Sequence, residues 1–201
     1  MSMKFPRRGG RAVAATLFLS FALAGCGSDA TPPAAPPATA AAAAPSVAKP
    51  FNGIRPTSVK IPKIGAESSL VTVAIDKDGK MSVPTAKHPM QAAWYRLSPV
   101  PGEVGPAILL GHVDGNKQPG IFFKLKDVNP GDEVLVERSD GKNLKFVVEK
   151  KDQVPKDQFP EEAVYGNTDK PQLRLITCGG VFDKEEHSYK DNVIVYANLV
   201  A

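Results

Sequence analysis

Residues 133–149, EVLVERSDGKNLKFVVE, contain the pattern that decides the fold class. Val134 and Val136 alternate with charged or polar neighbours, and the pattern returns at Phe146 and Val148 after an Asp-Gly turn signal. Alternation with a period of two is typical of strands that bury one face. The stretch therefore predicts two half-buried strands joined by a turn.

Short β-like runs continue on both sides of this stretch, separated by proline and glycine. They occupy residues 59–64, 70–75, 107–110, 173–177 and 193–196. The run at 107–110 does not alternate, which is typical of a central strand covered on both faces. Roughly seven or eight short strands with few helices predict a mainly β fold that closes, or nearly closes, into a barrel.

The start of the chain has a different composition. Basic residues at positions 4–11 precede an apolar run at 12–24, and no acidic residue occurs before Asp29. This pattern predicts a secretory signal peptide at residues 1–25, because the apolar run is too short to be a comfortable membrane span.

The signal ends in residues 23–26, LAGC, which resemble the lipobox of bacterial lipoproteins. The resemblance implies cleavage before Cys26 and a diacylglycerol on its sulfur; an ordinary apolar signal that happens to contain a cysteine is the alternative. Residues 26–50 continue as a Pro- and Ala-rich segment without an aromatic residue, which predicts an unfolded tether. The globular domain is then expected at residues 51–201.

The net charge of the chain belongs to the predicted signal. The chain has 25 basic and 21 acidic residues, and the excess is carried by Lys4, Arg7, Arg8 and Arg11. From Cys26 onward the chain is formally neutral, so its high isoelectric point implies no nucleic-acid partner.

The second cysteine, Cys178, directly follows the run at 173–177. If Cys26 is lipidated, Cys178 has no disulfide partner and is a free thiol in an exported protein. Such a thiol is either a small buried hydrophobic group or a nucleophile. A nucleophile active near neutral pH needs a base or a cation nearby.

Three histidines could supply the base. His88 precedes a proline and His187 lies in a charged loop sequence, so both are expected to be solvated loop residues. His112 instead follows the buried run at 107–110 and one glycine. A rigid central strand delivers such an imidazole at a fixed point, as a catalytic site requires, although structural histidines also occur at strand ends.

These residues resemble the motifs of the sortases, a family of cysteine transpeptidases. Residues 175–178, LITC, look like the sortase active-site strand, residues 111–112 look like the sortase histidine, and residues 62–65, PKIG, look like the N-terminal strand. Further matches lie at residues 94–95, 101–103, 122–125, 130–132 and 191–195. The combination of GHVD with TCGG is similar to the actinobacterial class F sortases. The resemblance covers about residues 55–200.

The resemblance implies a closed eight-stranded sortase-type β-barrel with short helices and loops. It implies that Cys178 is the nucleophile and that His112 is the general acid and base. The substrates would be surface proteins bearing a sorting signal such as Leu-Pro-x-Thr-Gly. The acyl group would pass through a thioester to an amine, expected to be a peptidoglycan precursor, or to water. No cofactor or metal is expected, and the enzyme would be lipid-anchored at the outer face of the cytoplasmic membrane.

The third catalytic role is where this sequence departs from the sortase pattern. Sortases usually carry an arginine at the start of the last strand, after the cysteine, and this chain has no arginine after Arg174. Lys190 stands at the expected place but lacks the planar fork of a guanidinium. Arg174 lies on the same strand face as Cys178, about 13 Å away. We expect Arg174 to supply the cation; the alternatives are Lys190, or ordinary structural and solvated charges at both positions.

Two neighbours of these residues could assist the reaction. Thr177 could help to hold the oxyanion through its backbone or hydroxyl, but β-propensity explains a threonine there equally well. Asp114 could orient the imidazole of His112, or it could be a turn residue before Gly115.

Two other functions compete with this interpretation. An L,D-transpeptidase is another exported cysteine enzyme, but its pattern places serine and glycine before the cysteine, whereas Thr177 precedes Cys178 here. A non-catalytic lipoprotein that binds a wall component could use the same barrel without turnover.

Overall fold

The computed structural model describes residues 53–77 and 81–200. The predicted signal peptide and the predicted tether lie outside this part of the chain. Within these ranges the ten strands are β1 Pro56–Ile61, β2 Ala66–Val73, β3 Ala92–Tyr95, β4 Gly105–Leu110, β5 Asp114–Gly115, β6 Gln118–Pro119, β7 Glu133–Arg138, β8 Asn143–Pro155, β9 Pro171–Asp183 and β10 Ser188–Val200. The α-helix α1 spans Glu161–Tyr165, and three single-turn 3₁₀ helices span Pro62–Ile64, Leu125–Asp127 and Lys156–Gln158.

Eight of the strands form a closed barrel in the order β1-β2-β3-β4-β9-β10-β8-β7, with β5 and β6 forming a separate hairpin. The pairs β2–β3 and β4–β9 are parallel, and the other neighbouring pairs in the barrel are antiparallel. The predicted mainly β fold with a closed eight-stranded barrel is therefore confirmed.

The two strands predicted from residues 133–149 are β7 and β8. Val134 pairs with Phe146 and Val136 pairs with Leu144. Val134, Val136 and Phe146 are buried, while their neighbours Glu133 and Lys145 form an ion pair at the surface. The alternating pattern thus corresponds to one face in the core and one in solvent.

The first β-like run is interrupted at Pro62. Strand β1 ends at Ile61, and Pro62–Ile64 form a 3₁₀ turn that Gly65 terminates in a left-handed conformation. Proline has no N–H to donate to the β-ladder, so the strand cannot continue through it. Ile64 packs against the core from this turn.

Two apolar clusters lie on opposite faces of the barrel wall. The larger one, the barrel core, includes Ala107 and Leu109 of β4. The smaller one, which we call the outer cluster, consists of Ile108, Leu110, Val164, Ile176, Ile194 and Tyr196. Every residue of β4 is buried because its two faces serve the two clusters, which confirms the prediction for residues 107–110.

Helix α1 covers the outer cluster through Val164, which is fully buried. Burying a valine side chain contributes about 1.5–3 kcal/mol.

None of the helices in the described ranges is long and apolar enough to cross a membrane. Within the same ranges, no group of three or more His, Cys, Asp or Glu side chains could hold a metal ion.

Candidate active site

The parallel pair of β4 and β9 sets the geometry of the site. Leu110 pairs with Ile176, an offset of 66 residues. The Gly111 N–H extends the ladder by donating to the Ile176 carbonyl at 3.2 Å. Continued for two residues beyond the last pair, the same offset would bring His112 beside Cys178, since neighbouring strands lie about 4.8 Å apart.

His112 and Cys178 also share a face of the sheet. Alternate residues of a strand point to the same side, so His112 follows Leu110 and Cys178 follows Ile176. Leu110 and Ile176 both belong to the outer cluster. This register, continued past the end of β4, points to the imidazole and the thiol as neighbours on the outside of the barrel, where both residues are partly exposed.

The backbone at His112 is held by the segment that follows it. The Phe122 N–H donates to the His112 carbonyl at 3.0 Å, and the Gly120 N–H donates to Val113 at 2.8 Å. A Cβ atom at Gly111 would lie 2.6 Å from Ile121 Cγ2 and from Phe122 Cδ2. Glycine is required at position 111 because the buried side chains of Ile121 and Phe122 fill the space that a Cβ atom would need.

The ring of His112 has a partner that sequence analysis missed. Its Nε2 lies 2.5 Å from the carbonyl oxygen of Pro84, in the connection between β2 and β3. A carbonyl only accepts, so Nε2 carries the proton and Nδ1 of the neutral ring is the free acceptor. A backbone carbonyl 28 residues away has no sequence signature that could have indicated it.

Cys178 is a half-buried free thiol within β9. Directly opposite, on β10, its pairing partner is Asn192. After Cys178 the strand continues through Gly180, which has φ +74 and whose added Cβ would overlap the carboxylate of Asp191. The glycines after the cysteine thus permit a close approach to β10 that other residues would prevent.

Asp114 contacts Tyr189 at the edge of this site. The Tyr189 hydroxyl donates to Asp114 Oδ2, and this bond, with partial burial and the nearby charges of Asp114 and Cys178, raises the Tyr189 pKa to about 12. Asp114 also opens the β5–β6 hairpin, whose turn residues Asn116 and Lys117 have positive φ. The hydrogen bond found for its carboxylate among the described residues is to Tyr189.

Arg174 lies on the outer face but is not turned toward Cys178. Its guanidinium donates to Gln172 Oε1 at 2.6 Å and, in longer contacts, to the carbonyls of Leu173 and Ala163. It also stacks 4.5 Å from the centre of the Tyr196 ring. Burial lowers the pKa of this arginine. These contacts do not support the role predicted for Arg174 beside the thiol, and the assignment stays a prediction.

The remaining candidates are also engaged elsewhere or face away. Lys190 is exposed, and its ammonium lies 3.4 Å from the carboxylate of Asp183. Thr177 is buried and alternates with Cys178, so its hydroxyl lies on the face opposite to the thiol. His88 and His187 are exposed in loops, as expected.

A cavity of about 540 Å³ lies next to the outer face of β4. Its lining includes Ile75, Met81, Tyr95, Leu97, Ile108 and Tyr165. Ile108 is four residues before His112, which corresponds to about 13 Å along a strand. The cavity therefore lies along the first part of β4, and Ile108 is its β4 residue nearest to His112.

A β-barrel that brings a free thiol and an imidazole together at the end of two parallel strands is what a cysteine-dependent acyl-transfer enzyme requires. The family model for the sortase domain matches residues 59–200. The chain belongs to the sortase family, and it is a cysteine transpeptidase.

Solved sortase structures share this fold. Sortase A from Corynebacterium diphtheriae, a lid mutant, superposes with a TM-score of 0.57 at 22% identity, covering 72% of this chain and 69% of that one. Streptococcus agalactiae sortase C1 in complex with MTSET gives 0.55 at 18% identity, with 72% and 66% covered. Sortase C-1 from Actinomyces oris gives 0.56 at 18% identity, with 72% and 71% covered.

These structures are class A and class C sortases, so the similarity to class F stays a prediction from sequence. A search of curated proteins finds no match to this chain.

Proposed function

We propose that this sortase cleaves a sorting signal of the Leu-Pro-x-Thr-Gly type after threonine. The acyl group is held as a thioester on Cys178 and passed to an amine, or to water. The observation that carries the proposal is the offset of 66 residues between β4 and β9, which supports His112 as the neighbour of Cys178.

The proton transfers in this reaction belong to His112. The S–H bond of Cys178 breaks and its proton passes to the His112 imidazole as the sulfur bonds to the threonine carbonyl carbon. The carbon–nitrogen bond then breaks, and the imidazolium gives that proton to the departing glycine amine. In the second half, the imidazole removes a proton from the incoming amine as that amine displaces the sulfur. Because Nε2 is bound to the Pro84 carbonyl, Nδ1 is the nitrogen that exchanges protons.

The cavity beside β4 supports an apolar sorting signal. An extended segment from leucine to threonine spans about 10 Å, and a threonine at Cys178 would thus bring the leucine near Ile108. The apolar side chains of Ile75, Met81 and Leu97 suit a leucine-proline pair. Sorting-signal proteins are accordingly the proposed substrates.

The cation proposed from the sequence is Arg174 or Lys190. Neither receives support from its contacts, because Arg174 is bound to Gln172 and Lys190 is paired with Asp183. The reaction proposed for Cys178 and His112 does not depend on which of them contributes.

The test is product analysis with the full-length chain in detergent. A library of quenched sorting-signal peptides with candidate amines, including peptidoglycan stem peptides, should give amide products by mass spectrometry. Cys178→Ala should abolish all product, and His112→Ala should lower the rate by about 10²–10⁴-fold. Cys26→Ser and His88→Ala are the matched controls and should keep the rate. Product from Cys178→Ala would refute the proposed reaction.

The proposed location is the outer face of the cytoplasmic membrane, with a lipid on Cys26 and residues 27–50 as a tether into the cell wall. The lipobox-like sequence at 23–26 supports this location. In a bacterial host that processes lipoproteins, the chain should incorporate labelled fatty acid and sediment with membranes. Cys26→Ser should lose the label; a variant that keeps the label would contradict lipidation at this position.

A further inference from the structure

The described part of the chain leaves one catalytic requirement open. Attack on a carbonyl produces an oxyanion, and enzymes stabilise it with fixed hydrogen-bond donors. The guanidinium of Arg174 is held by Gln172, and the ammonium of Lys190 lies beside Asp183. A donor for the oxyanion at Cys178 must therefore be sought among the residues that border the thiol.

We propose that the side-chain carboxamide of Asn192 is this donor, directing an N–H at the carbonyl oxygen of the acyl group on Cys178. The inference rests on the proposed function and deepens it, because it adds a third catalytic residue to Cys178 and His112. Asn192 would do with a neutral amide what a cation does in the usual sortase arrangement.

The position of Asn192 is fixed by strand pairing. It is the β10 residue directly opposite Cys178 in the antiparallel ladder. The Cβ atoms of directly opposed residues lie about 4.5–5.5 Å apart. A carboxamide that extends from this position reaches the space immediately above the sulfur.

Asn192 also projects from the same face as the thiol. Ile194 and Tyr196 follow it at steps of two along β10, and both pack in the outer cluster with Ile176 of β9. By alternation, Asn192 and Cys178 extend this outer face together. Both are half-buried, so solvent competes only partly for a hydrogen bond between them and a substrate.

The carboxamide of Asn192 is available for a hydrogen bond to a substrate, whereas nearby polar side chains already form hydrogen bonds within the protein. Asp191 accepts a hydrogen bond from Gln153, and Tyr189 donates to Asp114. Farther along β10, the Asn198 side chain binds Gln172 and Glu149. Within residues 53–77 and 81–200, the Asn192 side chain makes no hydrogen bond, so its two donors are free for a ligand.

The step assigned to Asn192 moves no proton. When the sulfur bonds to the carbonyl carbon, an electron pair shifts onto the carbonyl oxygen, which accepts the hydrogen bond from Nδ2. The electron pair returns from the oxygen to re-form the carbonyl as the amine departs with the proton that His112 gives it. A donor of this kind contributes about 10²–10³-fold to the rate.

The experiment compares two reactions of the same thiol in the full-length chain, on a Cys26→Ser background. Acylation by p-nitrophenyl acetate passes through a tetrahedral oxyanion, whereas disulfide formation with a methanethiosulfonate reagent does not. Asn192→Ala should slow acylation by about tenfold or more relative to disulfide formation. Peptide acyl transfer should fall by about 10²–10³-fold.

Two further variants complete the test. Asn192→Asp keeps the shape but removes the donors, so it should lower the same acylation-to-disulfide ratio. Asn198→Ala, on the same strand, should leave the ratio unchanged. If both Asn192 variants keep the wild-type ratio, or if acylation and disulfide formation fall together, the role of Asn192 is overturned.

These outcomes separate the inference from the proposed function. An Asn192-dependent acylation by the ester, without any peptide product, would refute the sorting-signal reaction and keep the oxyanion donor. Peptide transfer that is insensitive to Asn192 would keep the reaction and refute the donor.

Discussion

Tyr189 is the residue whose ionisation reports on the edge of the active site. Its hydroxyl donates to Asp114, which raises its pKa from the ordinary value near 10 to about 12. Because the folded-state pKa is raised, the stabilisation from this bond is complete below pH 10 and is lost as pH rises through about 12.

Removing the acceptor should reverse this shift. Asp114→Asn is expected to lower the Tyr189 pKa toward 10, because it removes both the charged acceptor and the repulsion of the phenolate. The measurement is tyrosinate absorbance against pH, with a Tyr189→Phe chain subtracted to isolate this residue from Tyr95, Tyr165 and Tyr196. An unchanged titration midpoint for Tyr189 would show that the hydrogen bond from Tyr189 to Asp114 does not form in solution.

Arg174 leads to a prediction about stability rather than catalysis. The guanidinium is buried against the Tyr196 ring and bound to Gln172. Arg174→Met should lower the free energy of unfolding by about 1–3 kcal/mol, because it leaves the carboxamide of Gln172 without this partner. Thermal unfolding measures the change, and kcat/KM measured well below the Tm should stay near the wild-type value.

The opposite result for Arg174 has a clear meaning. A fall in kcat without a change in Tm would support the role as cation that sequence alone assigned to it. Lys190→Ala is the comparison, because it removes an exposed positive charge at the other candidate position.

At the residue scale, sequence singled out the thiol and the imidazole because their chemistry is tied to residue type. Cys178 and His112 each end an apolar run that can be recognised locally. The carbonyl of Pro84 and the carboxamide of Asn192 could not be found in this way. Their relevance comes from a loop crossing and from strand pairing, neither of which leaves a local signature.

At the level of elements, the junction after β4 places the catalytic base, and Gly111 is its most constrained position. Gly111→Ala would bring a methyl group to 2.6 Å from Ile121 and Phe122. The forced shift should cost about 1–3 kcal/mol of stability and move the backbone of the adjacent His112. We therefore expect lower activity together with a lower Tm.

Gly131→Ala is the comparison for that variant. Gly131 has φ +93, but an added Cβ meets nothing within 4 Å. The substitution should strain the backbone by about 1–2 kcal/mol and leave activity unchanged. Equal losses of activity in both variants would show that stability alone explains the effect of Gly111→Ala.

The strands themselves were predictable where the signal is local. The hairpin of β7 and β8 and the fully buried β4 follow from alternation, turn residues and apolar runs. The parallel pairing of β4 with β9 joins segments far apart in the chain, and alternation says nothing about which strands meet or in which register. The sequence resemblance, rather than the pattern, implied that His112 and Cys178 act together.

At the scale of the whole molecule, closure of the barrel depends on β1, which pairs with both β2 and β7. A chain beginning at residue 53 should keep the Tm of the globular domain. A chain beginning at residue 62 lacks the buried Val59 and Ile61, at about 1.5–3 kcal/mol each, and exposes two strand edges. Calorimetry should show a cooperative transition only for the longer chain; equal transitions would mean that β1 is dispensable.

The parallel pairing of β4 and β9 means that the catalytic pair and the segment connecting the two strands are separate parts of the structure. Two parallel neighbours must be joined by an excursion, and here that excursion includes α1 and both β7 and β8. The part of it at residues 156–170 can change in sequence without touching the β4–β9 ladder or the hydrogen bond from Phe122 that holds the His112 backbone. Grafting other sequences into residues 156–170 is therefore a direct way to engineer a new peptide preference on an unaltered catalytic pair.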